Sequence, residues 1–129
     1  MLQKETKITS SDNTGVRLLK CIHINGNKKY GIVGDLINIV VNKFKSKKKL
    51  IKKQIYYGLI ITTKQAIYRS EGIFLKVDYN KVLVLNKATR QFLGTRIYGP
   101  VCKEVRQIKD GKKKLLRYEK VVALTKKII

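Results

Sequence analysis

The sequence is poor in the residues on which most enzyme and metal chemistry depends. Its 129 residues include one histidine, two cysteines and no tryptophan. A single histidine leaves little room for general acid–base or metal chemistry, and two cysteines exclude both a disulfide scaffold and a four-cysteine zinc site. No apolar run approaches the roughly 20 residues of a membrane-spanning helix, which excludes a helical transmembrane protein.

Acidic residues are also scarce. The eight Asp and Glu are scattered along the chain, and none of the glycine-rich phosphate, dinucleotide or nucleophile-elbow motifs occurs. We therefore predict that the protein is not an enzyme and uses no cofactor and no small-molecule substrate. Strand alternation puts Cys21 and His23 on one face, but with Cys102 they leave a tetrahedral metal site one ligand short. We interpret both cysteines as buried packing residues and predict no metal site.

Positive charge is what the sequence has in excess. Thirty Lys and Arg, of which 24 are Lys, give a net charge of +22. Charges of one sign on so small a body repel each other, and a polyanion relieves that repulsion. Because a membrane surface usually requires a basic amphipathic helix and none is clear here, nucleic acid is the favoured partner and no membrane is expected. The excess of Lys over Arg suits the binding of phosphates more than the recognition of bases.

Short apolar stretches separated by Gly and Asn turns predict a small β-barrel. Asn25-Gly26-Asn27 is predicted to form a hairpin turn, and Gly34-Asp35 a second turn. The apolar spacing of Val101, Val105 and Ile108 predicts a short helix after Pro100. The predicted strands cover residues 1–8, 16–24, 36–41, 55–63, 73–77 and 82–85. Residues 64–72 are predicted to form a polar loop or an irregular edge, and the predicted helix covers residues 101–108.

Several motifs resemble the universal large-subunit ribosomal protein L14 family, uL14. The most specific is G-T-R-I-Y-G-P-V at residues 94–101, where the family has G-T-R-I-F-G-P-V. The family's M-I-Q, D-N-S-G, C-I-x-V, G-D-I-I and I-I-S-L motifs have counterparts, in the same order, at residues 1–3, 12–15, 21–24, 34–37 and 121–124. The chain departs from the family at Phe92-Leu93, where the family has P-R, and residues 107–114 look like an insertion.

This resemblance implies a mainly β fold: a small closed five-stranded β-barrel with short C-terminal helical segments. It implies one uL14-like domain over residues 1–129, with the barrel in 1–100 and a helical or irregular C-terminal part in 101–129. The implied function is that of a structural constituent of the large ribosomal subunit, without enzymatic activity, which binds large-subunit rRNA and contributes to an intersubunit bridge. The implied partners are small-subunit rRNA across the interface, the neighbouring protein bL19 and a ribosome-silencing factor.

The divergence from the family, the A+T-biased composition and the absence of a presequence pattern favour an organelle-encoded copy. We expect the mitochondrial matrix, with a plastid or the bacterial cytoplasm as alternatives. The loop at residues 43–53 holds seven lysines and is expected to grip rRNA phosphates. The expected rRNA-binding residues are Asn13, Arg17, Lys28, Lys29, Lys43, Lys45, Lys47, Lys48, Lys49, Lys52, Lys53, Lys64 and Arg69.

The subunit interface and the silencing-factor face are expected at Arg90, Thr95 and Arg96, since the resemblance puts this region between the subunits. The fork of Arg96 suits a phosphate or a carboxylate. One alternative stays open: the tyrosines, among them Tyr56 and Tyr57, fit the stacking platform of a free OB-like protein that binds single-stranded nucleic acid. Because Tyr56 and Tyr57 lie in an apolar strand, packing in the barrel is the favoured interpretation of that pair.

Overall fold

A computed structural model of the chain describes residues 2–12, 16–26, 29–44, 55–89, 91–94, 96–107, 121, 123, 125 and 128–129, with the backbone alone at 16–17, 42–44 and 106–107. Its strands are β1 Lys7–Ser10, β2 Val16–Ile24, β3 Leu36–Phe44, β4 Ile55–Thr62, β5 Ile67–Tyr68, β6 Phe74–Leu75 and β7 Lys81–Leu85. A 3₁₀ helix spans Lys103–Gln107. None of the described helical residues forms a helix long and apolar enough to cross a membrane.

Five of the strands close into a barrel in the order β1-β2-β3-β4-β7, which confirms the predicted fold class. Successive strands pair antiparallel, and the ring closes where β1 runs parallel to β7, with Thr9 opposite Lys81 and Ser10 opposite Val82. This order is a meander, whereas an OB-fold has a Greek-key order. The two-stranded ribbon β5–β6 stands outside the ring.

The barrel interior is aliphatic. Leu19, Ile37, Ile39, Ile60 and Val82 share the inward face in the strand registers and are each at most 1% exposed. The described core contains no Lys or Arg, and Asp12 is its one charged residue. Since burying an unpaired ammonium is very costly, the lysines of a chain this basic are left to the surface.

The predicted bounds of β2 are confirmed, but the predicted alternation along it is wrong. Cys21 lies opposite Ile39, while His23 lies opposite Asn38, so β2 contains an extra residue at a β-bulge. A bulge reverses the facing of every residue beyond it. Cys21 is therefore buried, His23 is exposed, and the two side chains do not share a face.

The expected tight turn at Asn25-Gly26-Asn27 is also wrong. The last residue pair of the β2–β3 ladder is Ile24 with Ile37, and the connection runs from 25 to 35. Part of this connection returns to the N-terminus, where Leu2 and Gly31 exchange two backbone hydrogen bonds of 2.8 and 2.7 Å. A Cβ at Gly31 would lie 2.8 Å from Ile60 Cδ1, so a larger residue here would require the end of the Ile60 side chain to move. Gly34, at φ 94°, forms the second predicted turn.

The C-terminal helix is shorter than predicted because its first backbone groups have partners in strand-like contacts. Val101 forms a parallel bridge with Ile128, and the Cys102 N–H donates to the Ile61 carbonyl at 3.3 Å. The helix therefore begins at Lys103 and is a 3₁₀ helix. Val101 and Val105 are buried, as their spacing predicted. Ile108 and most of the predicted insertion at 107–114 lie outside the described residues.

Candidate nucleic-acid interface

The strand order divides the candidate residues between the two ends of the barrel. At one end β1, β3 and β7 finish while β2 and β4 begin; we call this the Arg96 end. At the opposite end β2 and β4 finish while β1, β3 and β7 begin; we call this the ribbon end, because β4 leads there to the ribbon β5–β6. Each end collects its own set of polar residues, although these are dispersed along the sequence.

At the Arg96 end, Arg17 and Lys43 belong to paired strands, and Lys43 lies opposite Leu18 next to Arg17. The lysine-rich segment, residues 45–54, follows the end of β3 at Phe44 and precedes the start of β4 at Ile55, both at this end. The ribbon end receives Lys29 and Lys64, which are exposed, and Arg69. The other predicted residues lie outside the described part of the chain: Asn13, Lys28, Lys45, Lys47, Lys48, Lys49, Lys52, Lys53, Arg90 and Thr95.

Arg96 lies in a short strip, residues 96–98, that runs beside the end of β1. Ile97 is 5% exposed and forms an antiparallel bridge with Asp12, whereas Arg96 and Tyr98 on either side of it are exposed. The Tyr98 N–H donates to the Ser11 carbonyl at 2.6 Å, and the Ser11 hydroxyl donates to the Tyr98 carbonyl. The strip thus presents a guanidinium and a phenol outward from a fixed backbone.

The Asp12 carboxylate ties the chain after β1, beside which the strip lies, to β7. Its Oδ2 accepts a hydrogen bond of 3.0 Å from the N–H of Val84, and its Oδ1 accepts one of 2.6 Å from the hydroxyl of Ser10. The main chain of β1 pairs with β7 only as far as the bond from Ser11 N–H to the Val82 carbonyl. The Asp12 carboxylate therefore takes the next position in the ladder, where a backbone carbonyl would otherwise stand.

Arg69 has partners within the protein. Its Nε and Nη2 donate to the two carboxylate oxygens of Glu104 at 2.8 and 3.2 Å, and Nη2 also donates to the carbonyl of Ile129 at 2.8 Å. One guanidinium thus joins the ribbon, the 3₁₀ helix and the last residue of the chain. Contact between Arg69 and rRNA stays a prediction, but the structure gives this residue a positioning role as well.

Burial alone would raise the pKa of the Glu104 carboxyl, but the hydrogen bonds from Arg69 and from its own backbone N–H, with the Arg69 charge, lower it below its usual value. Its contribution to stability is thus present above the ordinary carboxyl pKa and is lost as the pH falls through the lowered value. Glu104→Gln is expected to reduce the free energy of unfolding by about 1 kcal/mol at neutral pH, after allowance for solvent screening.

Urea unfolding of the wild type and Glu104→Gln between neutral and acid pH measures this effect. The difference between the two proteins should shrink towards zero as Glu104 becomes protonated. Asp78→Asn, which changes an exposed carboxyl that is not among the charges acting on Arg69, is the matched control and should equal the wild type throughout. A difference that stays constant down to acid pH would contradict the role assigned to the Glu104 charge.

The thiols lie in environments that suppress their chemistry. Burial raises the pKa of the Cys102 thiol to about 11, the Glu104 charge acts in the same direction, and Arg69 opposes it. Burial also raises the pKa of Cys21, against a hydrogen bond with the backbone of His23. Both cysteines are free and buried, which confirms their interpretation as packing residues. Since the thiolate is the nucleophile, neither thiol is suited to attack at neutral pH.

Sequence reasoning missed two basic contacts at the ribbon end. Lys4, Gln3, Lys29 and Tyr30 line a groove of about 390 Å³ between the N-terminal turn and the β2–β3 connection. The Nζ of Lys81 also lies 4.5 Å from the ring centre of Tyr79, a cation–π contact. Local sequence shows only isolated lysines at these positions, because the groove is created by the crossing of residues 2 and 31.

The aromatic side chains that the structure describes do not form one platform. Tyr56 is 6% exposed and belongs to the core, and Tyr57 packs against that core, as expected from their strand. Tyr68 and Phe74 form an exposed tilted pair on the ribbon, with ring centres 6.0 Å apart. Tyr30 and Tyr98 lie at opposite ends of the barrel. The dispersed placement does not reproduce the single stacking face of an OB-like binder.

A family model described as ribosomal protein L14p/L23e matches residues 1–129. The match therefore covers both ends of the barrel and the C-terminal part.

Proposed function

Since the chain belongs to the ribosomal protein L14p/L23e family, we propose that it binds large-subunit rRNA through its lysine-rich surface and contributes to the contact with the small subunit. Membership makes it a structural rather than a catalytic protein of the large ribosomal subunit, with rRNA and other ribosomal proteins as partners. The observation that carries the rRNA proposal is a net charge of +22 around a described core without Lys or Arg. Such a surface gains most from a polyanion.

Both ends of the barrel contribute to the proposed rRNA contact. The Arg96 end supplies most of the charge, because the lysine-rich segment joins the barrel there beside Arg17. The ribbon end adds a second, smaller contact. In this proposal the Arg96 end uses Asn13, Arg17, Lys43, Lys45, Lys47, Lys48, Lys49, Lys52 and Lys53, and the ribbon end uses Lys28, Lys29 and Lys64, with Arg69 holding the ribbon in place.

The proposed subunit interface comprises Arg90, Thr95 and Arg96. The exposure of Arg96, on a strip fixed to β1 through Ser11 and Asp12, supports this assignment. A fixed guanidinium suits a phosphate of the small-subunit rRNA. We also propose bL19 and a ribosome-silencing factor as protein partners, a single working domain over residues 1–129, and a mitochondrial ribosome as the location.

Sedimentation of the tagged protein from a lysate tests the central proposal. We expect it to move with large ribosomal subunits and to stay there through a wash in about 0.5 M salt, because contacts buried between rRNA and neighbouring proteins in an assembled subunit are screened much less than those of the isolated protein. Protein that stays at the top of the gradient, or that modest salt strips into a free pool, would contradict the proposal. A free single-strand binder would then be the better explanation.

Arg96→Glu tests the interface separately. This variant should still enter large subunits, because the Arg96 side chain is exposed. The carboxylate introduced at position 96 should repel the small-subunit phosphates and weaken subunit association by about tenfold or more. Lys76→Glu, which reverses an exposed charge beside the ribbon, is the matched control and should leave subunit association unchanged. Equal effects of the two variants would exclude a specific interface at Arg96.

A further inference from the structure

The groove at the ribbon end combines charge, an aromatic ring and an amide in one place. It is an open surface groove lined by Gln3, Lys4, Lys29 and Tyr30, with a volume of about 390 Å³. Lys4 and Lys29 are exposed, and Tyr30 is 42% exposed. Two ammonium groups at one groove favour an anion, and an accessible ring favours a flat partner.

Both walls of the groove are fixed by backbone hydrogen bonds. On one side a turn is closed by the Thr6 N–H donating to the Gln3 carbonyl at 3.2 Å, and the Gln3 N–H donates to Thr6 Oγ1 at 3.1 Å. The paired backbones of Leu2 and Gly31 hold this turn against the other wall, which carries Tyr30. A preformed groove loses little conformational entropy when a ligand binds.

The turn also contains backbone strain. Glu5 has φ 70°, a left-handed conformation that is uncommon for a residue with a Cβ. Its N–H donates to the Cys21 carbonyl at 2.6 Å, and the Cys21 N–H donates to the Thr6 carbonyl at 3.0 Å, so β2 imposes this geometry. Strain of this kind persists where the surrounding structure fixes it, and it is concentrated at functional sites.

We propose that this groove binds a single unpaired nucleotide of RNA. The base stacks on the ring of Tyr30, Lys4 and Lys29 neutralise its phosphates, and the Gln3 amide is placed to hydrogen-bond a base edge. This rests on the proposed function, since it assigns a role to one part of the rRNA contact. It predicts a preference for unpaired over paired RNA at the ribbon end, which the lysine-rich segment at the other end does not provide.

Affinity measurements on the full-length protein test the site with two probes. One is an oligouridylate of about ten nucleotides and the other is an RNA duplex of the same length. Tyr30→Leu should weaken binding of the oligouridylate by about tenfold and leave duplex binding unchanged, because only unpaired bases stack on a side chain. Replacing Lys4 and Lys29 by Gln should lower the magnitude of the log–log salt slope for the oligouridylate by about 1.4.

Tyr79→Leu is the matched control. Tyr79 is 39% exposed, close to the 42% of Tyr30, but its ring is already in contact with Lys81 Nζ. This variant should bind both probes like the wild type. Photocrosslinking to an oligonucleotide that contains 5-bromouridine gives a second readout, and the peptide that contains Tyr30 should carry the crosslink.

The outcomes separate this inference from the proposed function. A wild-type protein that binds neither probe would contradict RNA binding altogether. Normal RNA binding with no effect of Tyr30→Leu and no crosslink at Tyr30 would overturn the nucleotide site alone. If an oligoglutamate of the same length competes as well as the oligouridylate, with the same dependence on Tyr30, the groove is a site for acidic peptides and the inference is wrong.

Discussion

Raising the salt concentration from about 50 to about 200 mM is expected to weaken the binding of the isolated protein to large-subunit rRNA by about a thousandfold or more. Each lysine that neutralises a phosphate releases a condensed counterion, and this entropy gain disappears as bulk salt rises. The chain carries 24 lysines, and those of the described barrel are excluded from its core. Filter binding or fluorescence anisotropy over a salt series measures the slope.

The lysine-rich segment should account for much of that slope. Replacing its six lysines that precede β4, each by Gln, is expected to reduce the magnitude of the slope by about 4 to 5. Replacement of the same six by Arg retains the charge and is the matched control, so it should keep the wild-type slope. A slope unaffected by the Gln substitutions, or equally reduced by the Arg ones, would show that this segment does not grip phosphates. The six positions are Lys45, Lys47, Lys48, Lys49, Lys52 and Lys53.

Asp12→Ala is expected to reduce the free energy of unfolding by about 3 kcal/mol, the largest single-residue effect on stability that we predict. The carboxylate is 9% exposed and accepts hydrogen bonds from the Val84 N–H and the Ser10 hydroxyl. Truncation leaves the Val84 N–H buried without this acceptor. Loss of a hydrogen bond to a charged group, with a donor left unsatisfied, costs about 1.5–3 kcal/mol, and detachment of the strip that contains Ile97 adds to it.

Urea unfolding at about 0.3 M salt, where self-repulsion of the lysines is largely screened, measures this change. Asp12→Asn retains an oxygen that can accept a hydrogen bond from the Val84 N–H, so this variant should lose only about 1 kcal/mol of the free energy of unfolding. Asp78→Ala removes an exposed carboxyl and should stay within about 0.5 kcal/mol of the wild type. If Asp12→Ala behaved like Asp78→Ala, the carboxylate would not stabilise the pairing of β1 with β7.

Local sequence was sufficient to predict the long strands, but it did not predict the irregularities within them. The run of branched apolar residues placed β3 and β4, and β2 has the predicted bounds of Val16–Ile24. The β-bulge that separates the facing of Cys21 from that of His23 depends on pairing with β3, which no periodicity within β2 encodes. Predicted strand 1–8 begins only at Lys7, because the turn that closes at Thr6 occupies the residues before it.

The sequence likewise predicted the exposed basic residues of the candidate site but not the contacts that long-range packing creates there. Charge alone predicted a polyanion partner, and Lys29, Lys64 and Arg96 are exposed as that role requires. The internal pairing of Arg69 could not be predicted, because Glu104 is distant in sequence and reaches it only through packing of the 3₁₀ helix. The groove beside Tyr30 was missed for the same reason. Its two walls meet through long-range backbone pairing, which composition and motif spacing do not predict.

The parallel closure between β1 and β7 determines when the barrel can be completed during synthesis. The residues that pair there, Thr9 with Lys81 and Ser10 with Val82, are the most widely separated partners in the ring. Until β7 has left the translating ribosome, β1 and β4 are both open edges able to pair with a foreign strand. We therefore expect a nascent chain that ends before Lys81 to aggregate, and the time at risk is set by the rate of elongation through residues 63–80.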